Sequence, residues 1–157
     1  MENKTLDILK TAILLEKRGK EFYSTVASQT NIDDVKNIFE IMAKEEDIHI
    51  EELSKQYISY EKSKTFIKKA IVGKDHEIIA NTVLSADLKD KISVASYEAA
   101  AISAAIDMEN KAIEAYTKFA NEATDANEKE LFMWLANWEK DQHHLLNELD
   151  KQLKEKI

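Results

Sequence analysis

No cysteine and no proline occur in the 157-residue chain, and glycine occurs only twice. The missing cysteines exclude disulfides, thiolate zinc sites and any cysteine-held iron–sulfur or rubredoxin-type centre within the chain. The missing proline and scarce glycine argue against strand-rich folds, which need those residues at their turns. No apolar run approaches the length of about 18 residues that a membrane span requires, so no membrane partner is expected. The N-terminal stretch "MENKTLDILKTAILLEKRGKEF" is charged throughout, without an apolar signal core or cleavage site, and this makes the cytoplasm the expected compartment. Positive charge is also in short supply: 22 Lys and Arg stand against 30 Asp and Glu, a net charge of −8. Phosphate binding needs clustered Lys and Arg, so this balance counts against a nucleic-acid partner. It would attract cations.

What remains is helix-forming. A third of the residues are charged, Ala, Leu, Glu and Lys are frequent, and the chain reads as all-α. Its length fits one domain, residues 1–157. Apolar spacing predicts a first helix over about 5–29, through Leu6, Leu9, Ile13, Tyr23 and Ala27. A second follows "TNIDD", with Asn31 as candidate cap and Asp33 and Asp34 at the positive end of the helix dipole; it runs through Val35, Phe39, Met42 and Leu53 toward Tyr57. A third opens near Ser93 or Ser96 and reaches about Glu122. A fourth begins at "DANE", a D-x-x-E capping box of Asp125 and Glu128. Short turns within each pair make antiparallel hairpins. The longer connection, about 60–92, reads as a crossover with short helices that could place the third helix at either end of the bundle.

The two hairpins repeat. At a shift of 93 without gaps, Ala12, Ile13, Glu16, Glu21, Tyr23 and Ala27 fall on Ala105, Ile106, Glu109, Glu114, Tyr116 and Ala120. Phe39, Ala43, Glu46 and Leu53 fall on Phe132, Ala136, Glu139 and Leu146. The expected fold is a four-helix bundle of two repeated hairpins joined by the crossover.

Each helix interrupts its apolar stripe with one glutamate at mid-length: Glu16, Glu46, Glu109 and Glu139. The residue three beyond the first-helix glutamate is small in both halves, Gly19 and Ala112, which leaves room at that level. Four ionised carboxylates cannot share an apolar interior unaided, because desolvation and repulsion cost several kcal/mol per charge. Two divalent cations would cancel the four charges. Glu46 and His49 stand at i and i+3 on one helical face and can reach one ion. Imidazole beside carboxylate selects a first-row transition metal over calcium or magnesium.

These residues resemble the ferritin-like di-iron carboxylate proteins, and specifically their rubrerythrin-like branch. Those proteins carry one Glu on each of two helices and a Glu-x-x-His on each of the other two. The E-x6-Y spacing of Glu16–Tyr23 and Glu109–Tyr116 is similar too. The resemblance covers all four helices. It implies that Glu16 and Glu109 are ligands of the first-helix type, that Glu46 bridges with His49 as the nitrogen ligand, and that Glu139 is the counterpart of Glu46. It makes the same four glutamates the candidate catalytic residues.

One position departs from the pattern: Gln142 stands where a second histidine is expected. Gln142 could ligate through its carbonyl oxygen or hold a metal-bound water, His143 could serve instead, or one metal position could be weak or empty. The stripe Leu135, Glu139, Gln142, Leu146, Leu149 favours Gln142 as the inward residue, and unequal sites are expected. Among the remaining residues, Tyr23 and Tyr116 read as core residues whose hydroxyls find a polar partner. Trp134 and Trp138 read as packing, and His76 and His144 as surface. Glu45, Glu51 and Glu52 read as a solvated face, and Glu21 and Glu114 as surface partners of Arg18, Lys20 and Lys118. The plainer account of the buried glutamates is ion pairing with Lys17, Arg18 or Lys111.

The leading expectation is therefore an oxidoreductase-type protein with two transition-metal ions, iron first and manganese or zinc as alternatives. It would reduce O2 or peroxide as ferrous iron oxidises. The resemblance implies peroxidase or oxidase chemistry, and without cysteine the electrons must come from a separate donor protein. A homodimer is expected. Iron binding or storage without turnover is one alternative, and a metal-free helical interaction module with a decayed site is the other.

Overall fold

The computed structural model describes residues 2–68 and 96–154. They form four helices: α1 (Glu2–Gln29), α2 (Asp33–Ser63), α3 (Tyr97–Glu122) and α4 (Ala126–Lys154). Among the described residues there is no strand, as the missing turn residues require. No helix there is long and apolar enough to cross a membrane.

Helix ends follow local chemistry. The Ser96 hydroxyl accepts from the Ala99 amide at 3.2 Å and starts α3. Asp125 Oδ1 accepts from the amides of Asn127 and Glu128 at 2.8 and 3.0 Å and starts α4. The expectation for α2 needs correcting. Its N-cap is Ile32, not Asn31, and no side chain caps it. Thr30 orders this turn instead, because its hydroxyl accepts from the Ile32 amide and donates to Glu98 at the start of α3. α2 also runs six residues past Tyr57. It ends where Lys64 takes a left-handed φ of 58° and bonds its amide to the Tyr60 carbonyl. Beyond it, the Gln56 amide exchanges two hydrogen bonds with the backbone of Ile67, and Phe66 is buried. The rest of the expected crossover, with Gly73 and His76, lies outside the described residues.

The helix boundaries themselves repeat. α1 ends at Gln29 and α3 at Glu122, and α2 starts at Asp33 and α4 at Ala126. Both pairs are separated by the 93 residues that relate the two sequence halves.

Apolar side chains form two blocks, and every helix contributes to both. One holds Tyr23, Val26, Phe39, Met42, Ile102, Leu146 and Leu149. The other holds Leu9, Ala12, Leu53, Tyr116, Phe132, Leu135 and Trp138. The end of α1 thus meets the start of α3, and the start of α1 meets the end of α3, so these two helices are antiparallel. α2 and α3 then run parallel. The end of α2 and the start of α3 lie at opposite ends of a bundle about 40–45 Å long at 1.5 Å per residue. α1 packs directly on α3, while α2 and α4 approach through long side chains. Between the two apolar blocks lies a polar layer.

Candidate metal centre

That layer contains Glu16, Glu46, His49, Glu109, Glu139 and Gln142, each at most 2% exposed. Each helix supplies the mid-length glutamate that its interrupted apolar stripe predicts. Glu16, Glu46, His49 and Glu139 converge, with one ligand atom from each lying within 4.8 Å of every other. His49 Nδ1 stands 2.9 Å from Glu16 Oε1 and 3.4 Å from Glu139 Oε1, so it is the ring nitrogen that faces the carboxylates. Glu109 adjoins the group through Glu139 and accepts a hydrogen bond from the Tyr23 hydroxyl. Gly19 explains how Glu46 fits. A methyl group on its Cα would lie 3.3 Å from Glu46 Oε2 and 3.4 Å from Cδ, so the carboxylate occupies the space that a side chain would fill.

The electrostatics describe a site short of positive charge. Burial raises Glu46 and Glu109 well above the usual carboxylate range, and the charge of Glu139 adds to each. Burial and the charge of Glu16 raise Glu139 as well, against hydrogen bonds that pull it down. For His49 burial opposes the charged form, but Glu16 and Glu139 outweigh it and lift the imidazole to about 10. Glu16 shows the converse: burial pushes it up, His49 and its hydrogen-bonding neighbours pull harder, and it falls below its ordinary value. The imidazolium proton stands where a cation would. Lys17, Arg18 and Lys111, the candidates for plain ion pairing, are all exposed.

The residues present fit a metal. Both oxygens of Glu46 and Oε2 of Glu109 are buried without a hydrogen-bond partner. Such atoms are costly unless something neutralises them. The donor set, carboxylates with one imidazole, suits iron, manganese or zinc.

The second half of the site differs from the first. Gln142 is fully buried, as its stripe predicts, and its Nε2 donates to Glu45 Oε1 at 2.9 Å. His143 is half-buried and outside the converging group. The reading of Glu45, Glu51 and Glu52 as one solvated face is corrected: Glu51 is exposed, but Glu45 and Glu52 are 0% and 1% exposed. Burial raises Glu45 to about 7, against hydrogen bonds that lower it. Glu45, His49, Glu52 and Gln56 recur at four, three and four residues as a run of buried polar positions; Glu45 and His49 meet α4, while Gln56 bonds Glu52 and the Ile67 backbone. That spacing was visible in the sequence, but the charge of its members hid it.

The aromatic neighbours also have defined places. Trp134 and Trp138 pack edge-on against the His49 ring, at centroid distances of 5.3 and 4.6 Å, so their packing encloses the ligand. Burial and the surrounding carboxylates hold the Tyr23 hydroxyl in its protonated, donating form. The Tyr116 hydroxyl finds the Ala12 carbonyl at 3.4 Å. Glu21, Glu114 and His144 are exposed as expected, and Lys20 pairs with Asp47 at 2.6 Å.

Comparison with curated proteins and with solved structures gives no match. Among protein families, the model for rubrerythrin matches residues 7–150, nearly the whole chain and all four helices. Taken with the four-helix ferritin-like bundle and its buried Glu/His layer, this match establishes that the chain belongs to the rubrerythrin family.

Proposed function

We propose that the protein is a dinuclear metal protein, with iron as its metal, that reduces O2 or peroxide as its ferrous ions oxidise. The convergence of Glu16, Glu46, His49 and Glu139, with no buried Lys or Arg among the described residues to compensate them, carries this reading. Glu16, Glu46, His49 and Glu139 would hold one ion; Glu109 and Gln142, with Glu46 and Glu139 shared between the two, would hold the other. When bound, two ferrous ions supply the two electrons that convert one peroxide and two protons into two waters.

The chain's own residues set the conditions. His49 gives up its Nδ1 proton when a cation takes that place, so loading releases protons. Tyr23 keeps Glu109 in position through its hydroxyl. The apolar blocks on either side exclude bulk water, which strengthens the electrostatic hold on charge in the layer. Electrons come from a donor outside these 157 residues, which lack the cysteines of a rubredoxin-type centre. We take the working unit to be a cytoplasmic homodimer.

Anaerobic titration of metal-free protein with ferrous iron should saturate near two ions per chain, and one equivalent of peroxide should then oxidise both. Absence of saturable binding would refute the reading. Binding without oxidation by either oxidant would leave iron holding as the function, and gel filtration would then separate a dimer from the large closed shell that storage requires.

A further inference from the structure

The 93-residue repeat pairs His49 with Gln142 and, less obviously, Glu45 with Trp138. In one half, Trp138 reaches from α4 and packs edge-on against the His49 ring on α2. In the other half, Glu45 reaches from α2 and accepts a hydrogen bond from Gln142 on α4. The half that replaced imidazole by amide therefore also carries a carboxylate where its counterpart has an indole. The two replacements contact each other in a fully buried place. A position that had merely lost its histidine would not have a matched partner built around it.

The partner dictates which end of the amide is available. Glu45 Oε1 holds the NH2 group of Gln142, and Gln142 Oε1, on the other branch of the planar group, is buried with no donor. A carbonyl oxygen is a metal ligand and an amide NH2 is not. Glu45 also lies close enough to His49 and Glu139 for their charges to act on it, so the Glu45–Gln142 pair borders the converging ligands.

We propose that Glu45 is a positioning residue that presents the Gln142 carbonyl oxygen to the second cation position, making that position all-oxygen and the weaker of two unequal sites. The inference rests on the dinuclear reading above. One position has an imidazole beside its carboxylates; the other has only carboxylates and a carbonyl, and holds a first-row transition-metal ion less tightly.

The test uses the full metal-free chain titrated with Zn2+ alone, with bound metal as the readout. The wild type should take up two ions in unequal steps. Glu45→Gln can hydrogen-bond either end of the amide and releases the lock. It should weaken the second step by about tenfold or more, the scale of lost outer-shell support for a ligand, while leaving the first step unchanged. Gln142→His should make the two steps nearly equal. Two equivalent steps in the wild type, or a Glu45→Gln variant with both steps unaltered or equally weakened, would overturn this proposal and leave the dinuclear reading standing. No saturable binding of Zn2+ would overturn both.

Discussion

Gly19 is the residue whose smallness the site uses most directly. Its Cα–H faces the Glu46 carboxylate, and alanine there would press on Oε2 at 3.3 Å. The glycine lies inside α1 without a positive φ, so alanine is otherwise favoured, by about 1 kcal/mol of helix propensity. Gly19→Ala should leave the metal-free protein as stable or more so in denaturant titration, while shifting Glu46 and weakening metal binding by about tenfold, the cost typical of disturbed ligand support. A variant that gained stability and kept full affinity would show that Glu46 has room to spare. At this scale the sequence was informative about which residues turn inward, because a glutamate in an apolar stripe is conspicuous. It said less about what each inward residue touches. Gln142 was readable as buried, but its attachment to Glu45 depends on a partner almost a hundred residues away, which no local pattern encodes.

The helices were legible in number and register and less so at their ends. Ser96 and Asp125 cap as their spacing predicts, since each sits just before an apolar run and has a free amide within reach. Asn31 had the same credentials and does not cap, because the helix starts one residue later and Thr30 takes the turn. Asp125→Ala and Ser96→Ala should each cost about 1 kcal/mol of unfolding free energy. Asn31→Ala should fall within about 0.5 kcal/mol of wild type, the range of ordinary surface changes. Thermal or urea unfolding of the three variants would check the contrast. α2 was the helix hardest to read. Its buried positions cover a wider arc than one stripe: Glu46 and His49 share the side that meets the other ligands, and Glu45, Glu52 and Gln56 are buried beside them. Hydropathy alone registers only the stripe that contains Phe39 and Leu53.

For the whole molecule, the buried ionisable groups make stability depend on pH, more steeply without metal than with it. Glu45 moves from 4.5 to about 7 on folding. The folded chain therefore holds this proton more tightly, and the associated stability, fully present below pH 4.5, is lost as pH rises through 7. At about 1.4 kcal/mol per unit this is on the order of 3 kcal/mol. Glu46, Glu109 and Glu139 are raised and act in the same sense. His49, lifted from 6.5 to about 10, contributes fully below 6.5 and loses its contribution as pH climbs through 10. Glu16, lowered, opposes them only in acid. The metal-free protein should thus melt at progressively lower temperature from about pH 6 to pH 10. Metal binds the deprotonated ligands, so the gap between loaded and metal-free melting temperatures should widen over the same range. Calorimetry at several pH values with and without saturating metal would check both trends; a gap that narrowed would contradict the carboxylate–cation balance.

The polar layer has one more consequence, for how the molecule can be cut. Each apolar block draws on all four helices, so neither hairpin owns a complete interior. A half-molecule ending after Phe66 would have its oily surfaces and its glutamates bare on one side, and should stay largely unstructured when made alone. Produced together with the segment from Ser96 onward, it regains the partners of both apolar blocks, and the two pieces should assemble. A divalent cation, drawing ligands from both pieces, would then serve as the rivet of the split protein.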